Sequence, residues 1–287
     1  MLIDLHTHSS VSDGTDSPAE LVRAAHRAGL DVVAITDHDT TAGWDDAVRA
    51  APAGLTVVRG MEMSCVGRGV DGDPVPVHLL AYLFDPTDEV FAVELERLRD
   101  ERTGRIRSMA ELLAVDHPEI VPDEILAATG ESAGRPHLAR ALVEIGAVGS
   151  VQEAFDGYLA TESPYYVAKV DTPLDRAIEM IRTAGGVSVV AHARARTRGR
   201  LLDPQHIREL VGHGLNGVEV DHADHNPADT RFMRELADEL DLIATGSSDY
   251  HGGNKNLRLG EHTTAVEQYE RILAAATGVP AAVSSLS

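Results

Sequence analysis

Two histidines separated by one residue, His6 and His8 in MLIDLHTHSSVSDG, are the first groups along this chain that could do chemistry. Alternate residues of an extended segment share a face, so both imidazoles can reach one cation. Asp13 follows in a glycine-containing turn. AITDHDT carries His38, the segment R-G-M-E ends on Glu62, and His78 lies in an apolar run at residues 77–83. GVSVVAH ends on His192, and GSSDYH offers Asp249 and His251, again two apart. Each has an ordinary role when taken alone: Asp13 could cap a turn, His38 pack, Glu62 face solvent and His78 sit satisfied in a core. Nine such groups placed in or after successive apolar runs point instead to one cluster. Mixed imidazole and carboxylate donors without thiolate suit Mn²⁺, Zn²⁺ or Fe²⁺, and nine donors are too many for one ion, so two or three divalent ions are expected. Glu62 is suited to bridge two of them. A water or hydroxide held between two ions, with its pKa lowered to roughly 7, would be a competent nucleophile at neutral pH.

The elements that must position these groups are short apolar runs at residues 2–5, 31–36, 56–58, 77–83, 186–191, 217–220 and 242–246, read as seven strands, most of them buried and parallel. Helical patterns lie between several of them. In the clearest, residues 18–28, Ser17 is placed to cap, Pro18 takes the first position, Glu20 completes a capping box and Gly29 ends the helix. Another helix is expected over residues 228–240. Strand–helix alternation with reactive groups gathered after the strands is the logic of a barrel with its site at the strands' C-terminal mouth. Seven strands make it an irregular (β/α)7 barrel. His78 fits less well, because it precedes most of its strand. Residues 88–168 break the alternation, with a long charged helix over 89–115 and helical pieces at 122–129, 136–145 and 150–159. The expected organisation is a discontinuous barrel domain, residues 1–87 and 169–287, and a helical insertion, 88–168, capping the mouth. The tail after Pro280 is expected to fray.

Forty-six acidic residues against 25 basic ones give the 287-residue chain a net charge of −21. That balance argues against coating duplex DNA, which needs summed positive charge. It leaves room for a phosphorylated substrate, because a few arginines and metal ions make one cleft positive. The single cysteine, Cys65, forms no internal disulfide and fits a reducing compartment. No leader pattern opens the sequence, and no run approaches the roughly 18 apolar residues of a membrane span. A cytoplasmic location is expected, with no membrane association and no evident protein partner.

Taken in order, HTHSSVSDG, AITDHDT, the G-M-E segment, His78, V-V-A-H and G-S-S-D-Y-H resemble the motifs of the PHP (polymerase and histidinol phosphatase) family. The resemblance spans residues 1–82 and 186–252, and no motif position is lost. It implies an irregular seven-stranded barrel with three divalent ions, Mn²⁺ foremost. The first would be held by His6, His8, Glu62 and Asp249, the second by Glu62, His78 and His192, and the third by Asp13, His38 and His251.

The segment from Gly134 through SPYYVAKV resembles members that dephosphorylate 3′,5′-nucleotide bisphosphates, and related members trim short RNA from a 5′-phosphate end. This implies that Arg135 and His137 help hold substrate phosphate. Independently, the planar fork of arginine suits phosphate, and Gly134-Arg135-Pro136 opens a helix whose N–H groups favour anions. Arg135 is also expected to offset charge on the phosphoryl oxygens. Lys169, His222 and His225 are further candidate substrate contacts, and each has a structural role as its alternative. Either His222 or a metal-bound water would protonate the leaving group. Where this subgroup often reads A-H-P, the chain reads AHARARTRGR; Arg194, Arg196, Arg198 and Arg200 either extend phosphate binding or solvate a loop. His26, His117, His206, His213 and His262 are read as non-functional.

The expected activity is hydrolysis of the 3′-phosphate of a small nucleotide such as 3′-phosphoadenosine 5′-phosphate. The rivals are a 5′-to-3′ exonuclease on short 5′-phosphorylated RNA and a non-catalytic metal-binding regulatory module. A C–N bond hydrolase is more distant.

Overall fold

In the computed structural model of the chain, residues 1–196 and 199–283 are described. Arg198 of the arginine run and residues 284–287 of the tail lie outside them. The strands in chain order are β1 (Ile3–Asp4), β2 (Val32–Ile35), β3 (Thr56–Arg68), β4 (Pro74–Tyr82), β5 (Thr172–Pro173), β6 (Val187–Val190), β7 (Gly217–Asp221), β8 (Ile243–Gly246) and β9 (Ala282–Val283). The helices are α1 (Pro18–Arg27), α2 (Trp44–Ala50), α3 (Glu89–Asp116), α4 (Pro122–Ala127), α5 (Arg135–Glu144), α6 (Val151–Asp156), α7 (Leu174–Thr183), α8 (Pro204–Val211), α9 (Pro227–Glu239) and α10 (Val266–Ala275).

Every residue of Val32-Val33-Ala34-Ile35 is buried, because the strand is covered on both faces. Val32 and Ala34 join one apolar cluster with Ile3, Leu80, Val187 and Ile243, inside the sheet. Val33 and Ile35 join another with Leu21, Val22, Ile178 and Met233 from the surrounding helices. The period-two alternation of the strand thus fills the barrel on one side and seats the helices on the other. The sheet follows the order β1-β2-β3-β4-β6-β7-β8, a nearly closed seven-stranded barrel. β5 and β9 pair with β3 outside that path, so the first residues past Pro280 extend the sheet at Thr56 and Val57 rather than fraying. No helix among the described residues is long and apolar enough to cross a membrane.

Two strands depart from the pattern expected of them. β3 does not end near Val58 but continues as a 13-residue strand, so Glu62 lies in its middle. β4 runs antiparallel to both its neighbours, β3 and β6. β4 also begins earlier than expected, so His78 is the fifth of its nine residues and sits mid-strand opposite Ser64, and the strand meets the barrel mouth with its N-terminal half.

The reversal also explains the long helix that follows. The chain leaves β4 at Tyr82, which pairs with Gly60 and Val187 far from the mouth. α3, roughly 42 Å long at about 1.5 Å per residue, carries the chain back up. Its first half buries Phe91, Leu95 and Leu98 in the outer barrel core. Its second half contributes Ile106, Met109, Ala110 and Leu113 to a separate core with α4, α5 and α6. The helical segment touches the Asp13 loop at Gly130, where an added Cβ would strike the carbonyl oxygens of Ser10 and Val11. Backbone oxygens cannot give way as a side-chain tip can, so Gly130→Ala is expected to cost about 1–3 kcal/mol, read as a lowered melting temperature.

Candidate metal centre

Glu62 is the hub. Its Oε2 lies 3.1 Å from Nε2 of His6, 3.0 Å from Nε2 of His8 and 3.3 Å from Nδ1 of His38. Its Oε1 lies 2.8 Å from Nδ1 of His78 and 3.0 Å from Nε2 of His192. The two oxygens of one carboxylate therefore face two different sets of imidazoles. Oδ1 of Asp249 stands 3.4 Å from Nε2 of His6 and 3.5 Å from Nε2 of His8. On the far side of His8, Asp13 approaches its Nδ1 at 3.7 Å, Nε2 of His251 at 3.4 Å and Nε2 of His38 at 3.7 Å. The structure thus brings all nine expected residues together. His8 and His38 each present one nitrogen to the Glu62 side and the other to the Asp13 side, a sharing the sequence did not reveal.

These positions fit divalent ions. Ligands at about 2.0–2.1 Å from a tetrahedral ion are spaced roughly 3.3–3.4 Å apart, close to the separations among His6, His8, Glu62 and Asp249. Three groups have donor atoms within 4.8 Å of one another: His8, Asp13, His38 and His251; His6, His8, Glu62 and Asp249; and His38, Glu62 and His78. Nδ1 of His8, Oδ1 of Asp13, and Nδ1 of His38 and His78 are buried without a hydrogen bond among the described residues. Burial disfavours the Glu62 carboxylate, but the imidazoles of His78, His6 and His38 hold it well below the usual range. Burial likewise opposes a charge on His8, but Asp249 and Glu62 push it up to about 9. His251, buried and beside Lys255 and His8, is pushed down to about 3. Ionised carboxylates buried this deeply call for compensating positive charge. His78, with 29% of its side chain exposed, is the most open of the nine and marks the approach from solvent.

Several residues that hold this cluster were not singled out from the sequence. Asp37 accepts from the hydroxyls of Ser9 and Ser12, at 2.6 and 2.7 Å, and so fixes the loop between His8 and Asp13. Asp4 accepts from the backbone N–H groups of Ser248 and Gly260 and ties β1 to the loop of Asp249. Lys255 binds Oδ2 of Asp249 at 2.7 Å, leaving Oδ1 toward the histidines. Asp39, next to His38, accepts from the N–H of Ser64 at 2.6 Å and forms a short ion pair with Arg102 of α3. Glu219 lies fully buried beside His6 and His192. The usable signal was the charged residue inside an otherwise buried strand pattern, as in G-V-E-V.

The remaining candidates divide. Arg135 opens α5 over the rings of Phe155 and Tyr166, at 5.2 and 5.9 Å, with its guanidinium held by the carbonyl of Leu159. Arg105, which the sequence reading passed over, lies 5.1 Å from the other ring contact, Tyr166, and donates to the carbonyl of Val167. Among the described residues both are held by carbonyls and aromatic rings rather than by carboxylates. Burial lowers the pKa of each, and Arg135 lowers that of Arg105 further, to about 10. Lys169 pairs with Asp171 at 2.8 Å, and burial pushes its ammonium down to about 8. Nδ1 of His137 folds back on the backbone of Gly134 and caps α5. His222 is buried with Nε2 3.5 Å from Oδ2 of Asp249. His225 spends both ring nitrogens on backbone groups, the carbonyl of Val220 and the N–H of Arg194. Arg194 and Arg196 both pair with Asp229, and Arg200 pairs with Asp71 and Asp73.

Comparison with known proteins agrees with this architecture. The PHP domain family matches residues 4–98. The chain is 32% identical over 277 residues to a 3′,5′-nucleoside bisphosphate phosphatase of Chromobacterium violaceum, covering 91% of each. It is also 32% identical over 275 residues to a 5′-3′ exoribonuclease of Haemophilus influenzae, covering 92% of this chain and 95% of that one. A solved structure from Bifidobacterium adolescentis, provisionally described as a metal-dependent phosphoesterase, matches with a TM-score of 0.88 at 36% identity over 96% of both chains. The chain belongs to the PHP family. Its activity is that of a metal-dependent phosphoesterase, acting as a hydrolase.

Proposed function

We propose that the chain removes the 3′-phosphate of a nucleoside 3′,5′-bisphosphate, such as 3′-phosphoadenosine 5′-phosphate, leaving the 5′-monophosphate. Three divalent ions, Mn²⁺ foremost, would be held by His6, His8, Glu62 and Asp249, by Glu62, His78 and His192, and by Asp13, His38 and His251. When bound, they supply an activated water and positive charge for the phosphoryl oxygens. The observation that carries the substrate assignment is a second, separate cationic site. Arg105 and Arg135 sit side by side without carboxylate partners among the described residues, in a protein of net charge −21. Arg102, paired with Asp39, bears on both: after burial, its charge adds to what disfavours a proton on His38 in one and the charges of Arg105 and Arg135 in the other. Two anion-attracting sites so linked suit a small nucleotide with a phosphate at each end.

The chain's own residues then divide the work. Arg135 and Arg105 clamp the phosphate that is retained, while Lys169 would reach it only by leaving its partner Asp171. His137 holds the first turn of α5 in place beneath Arg135. The N–H of Asp224 donates to Nδ1 of His222, so a neutral ring keeps its proton on Nε2, facing the cluster. That N–H can donate a hydrogen bond to the departing oxygen, whose proton would come from a metal-bound water when the ions are present. A cytoplasmic location suits a nucleotide substrate and the buried free thiol of Cys65.

Incubated with Mn²⁺ and 3′-phosphoadenosine 5′-phosphate, the protein is expected to release inorganic phosphate and AMP. No release with Mn²⁺, Zn²⁺ or Fe²⁺ would remove this substrate. The second reading, a 5′-to-3′ exonuclease on short 5′-phosphorylated RNA, is favoured by the rings of Phe155 and Tyr166 beneath the guanidiniums, since aromatic faces can stack bases. Release of mononucleotides from a 5′-labelled oligoribonucleotide separates the two. Arg135→Ala should raise KM or lower kcat with bound metal unchanged; loss of metal would show that Arg135 is no phosphate clamp.

A further inference from the structure

We propose that Glu219 is a positioning residue that fixes the tautomer of His6 and the backbone of His192, so that both rings present Nε2 to the metal cluster. The proposal rests on the reading of those two histidines as ligands. Glu219 is fully buried on β7. Its Oε1 lies 3.2 Å from Nδ1 of His6 and also receives the hydroxyl of Ser247, while its Oε2 accepts from the N–H of His192 at 2.8 Å. An ionised carboxylate only accepts, so Nδ1 of His6 must carry the hydrogen of that contact, and its Nε2 lone pair is left for a cation. His192 has a φ of 29°, a left-handed conformation that residues with a Cβ rarely adopt. The Oε2 contact holds that residue by its backbone while Nε2 reaches Oε1 of Glu62 at 3.0 Å.

One carboxylate thus ties β7 to a ligand after β1 and a ligand after β6. The strand is shaped for it. Residues three apart on a regular strand face opposite ways, but both Glu219 and His222 turn toward the cluster. An irregularity in the β7–β8 register between Glu219 and Asp221 changes the parity.

Glutamine at this position has one carbonyl oxygen and one amino group, so it cannot accept from both His6 and His192. In chelator competition with Zn²⁺, Glu219→Gln is expected to bind about 10–100-fold more weakly than wild type. Ser247→Ala, which removes a competing donor, should retain most of the affinity. Long-range ¹H–¹⁵N spectra of the Zn²⁺-loaded wild type should show His6 protonated on Nδ1. Equal affinity in Glu219→Gln, or His6 protonated on Nε2 in wild type, overturns the proposal; the second readout decides even if the variant does not fold. A wild type that binds no Zn²⁺ would instead overturn the ligand assignment itself.

Discussion

A Glu62→Gln variant is expected to lose turnover by roughly three to four orders of magnitude, because metal assistance supplies several kcal/mol of the barrier and each 1.36 kcal/mol is about tenfold. The reasoning follows from the two faces of this side chain. Oε2 meets His6, His8 and His38, and Oε1 meets His78 and His192, so both proposed ion positions on this side depend on it. Glutamine keeps the shape but offers one acceptor and no charge. Bound metal, measured by elemental analysis after dialysis, should fall together with phosphate release. Full metal content with low activity would remove Glu62 from the ligand set and leave it only a role in the reaction.

The second large effect is on stability and falls on the junction between α3 and the barrel. Arg102 and Asp39 form a buried ion pair, with a second guanidinium nitrogen 2.6 Å from the hydroxyl of Ser64. Arg102→Ala leaves Asp39 charged and unpaired in the interior, and is expected to cost about 3–5 kcal/mol in chemical denaturation. An Asp39→Asn, Arg102→Met double variant should recover much of the loss, because neither buried charge remains. If the single and double variants were equally destabilised, lost packing rather than the stranded charge would be the cause. The same pair sets an acid limit. Burial opposes the Asp39 carboxylate, but Arg102 and Lys169 hold its pKa below the ordinary value. A depressed carboxylate contributes stability that is fully present above the unfolded pKa, about 3.9, and is lost as pH falls through the folded value. Unfolding titrations below about pH 4 should therefore steepen in wild type relative to the double variant.

What the sequence disclosed and what it withheld divide along local and distant contacts. His6 with His8, and Asp249 with His251, are pairs two residues apart, and such spacing is visible in one dimension. The capping box of Ser17 and Glu20 is local too, and α1 starts at Pro18 as expected. Arg102 and Asp39 are separated by 63 residues, and neither the D-H-D segment nor the charged-helix pattern hints that they meet. Glu219 was passed over because its partners His6 and His192 lie 213 and 27 residues away, and a strand read as G-V-E-V does not show which neighbours its glutamate meets. The direction of β4 was unreadable for a different reason. A run such as V-P-V-H-L-L-A-Y has the same pattern in either orientation, and only the turn at residues 69–73 shows that the chain doubles back. The extent of β3 was hidden by its polar and glycine positions, which mark an end in one dimension but continue the ladder in three.

The barrel is closed between its first and last strands by little backbone pairing: among the described residues a single bridge joins Thr7 to Tyr250, with Asp4 reaching across to Ser248. The ligand cluster lies across that same seam, since His6 and His8 come from one edge and Asp249 and His251 from the other. Ions bound there would act as a clasp on a join between segments more than two hundred residues apart in sequence. Closing so long a loop is slow, and whatever binds only the closed form favours it by mass action. Metal supply would then govern how long the barrel stays shut as well as whether it turns over, and amide exchange along β1 and β8 should slow more on metal loading than exchange along β3 and β4.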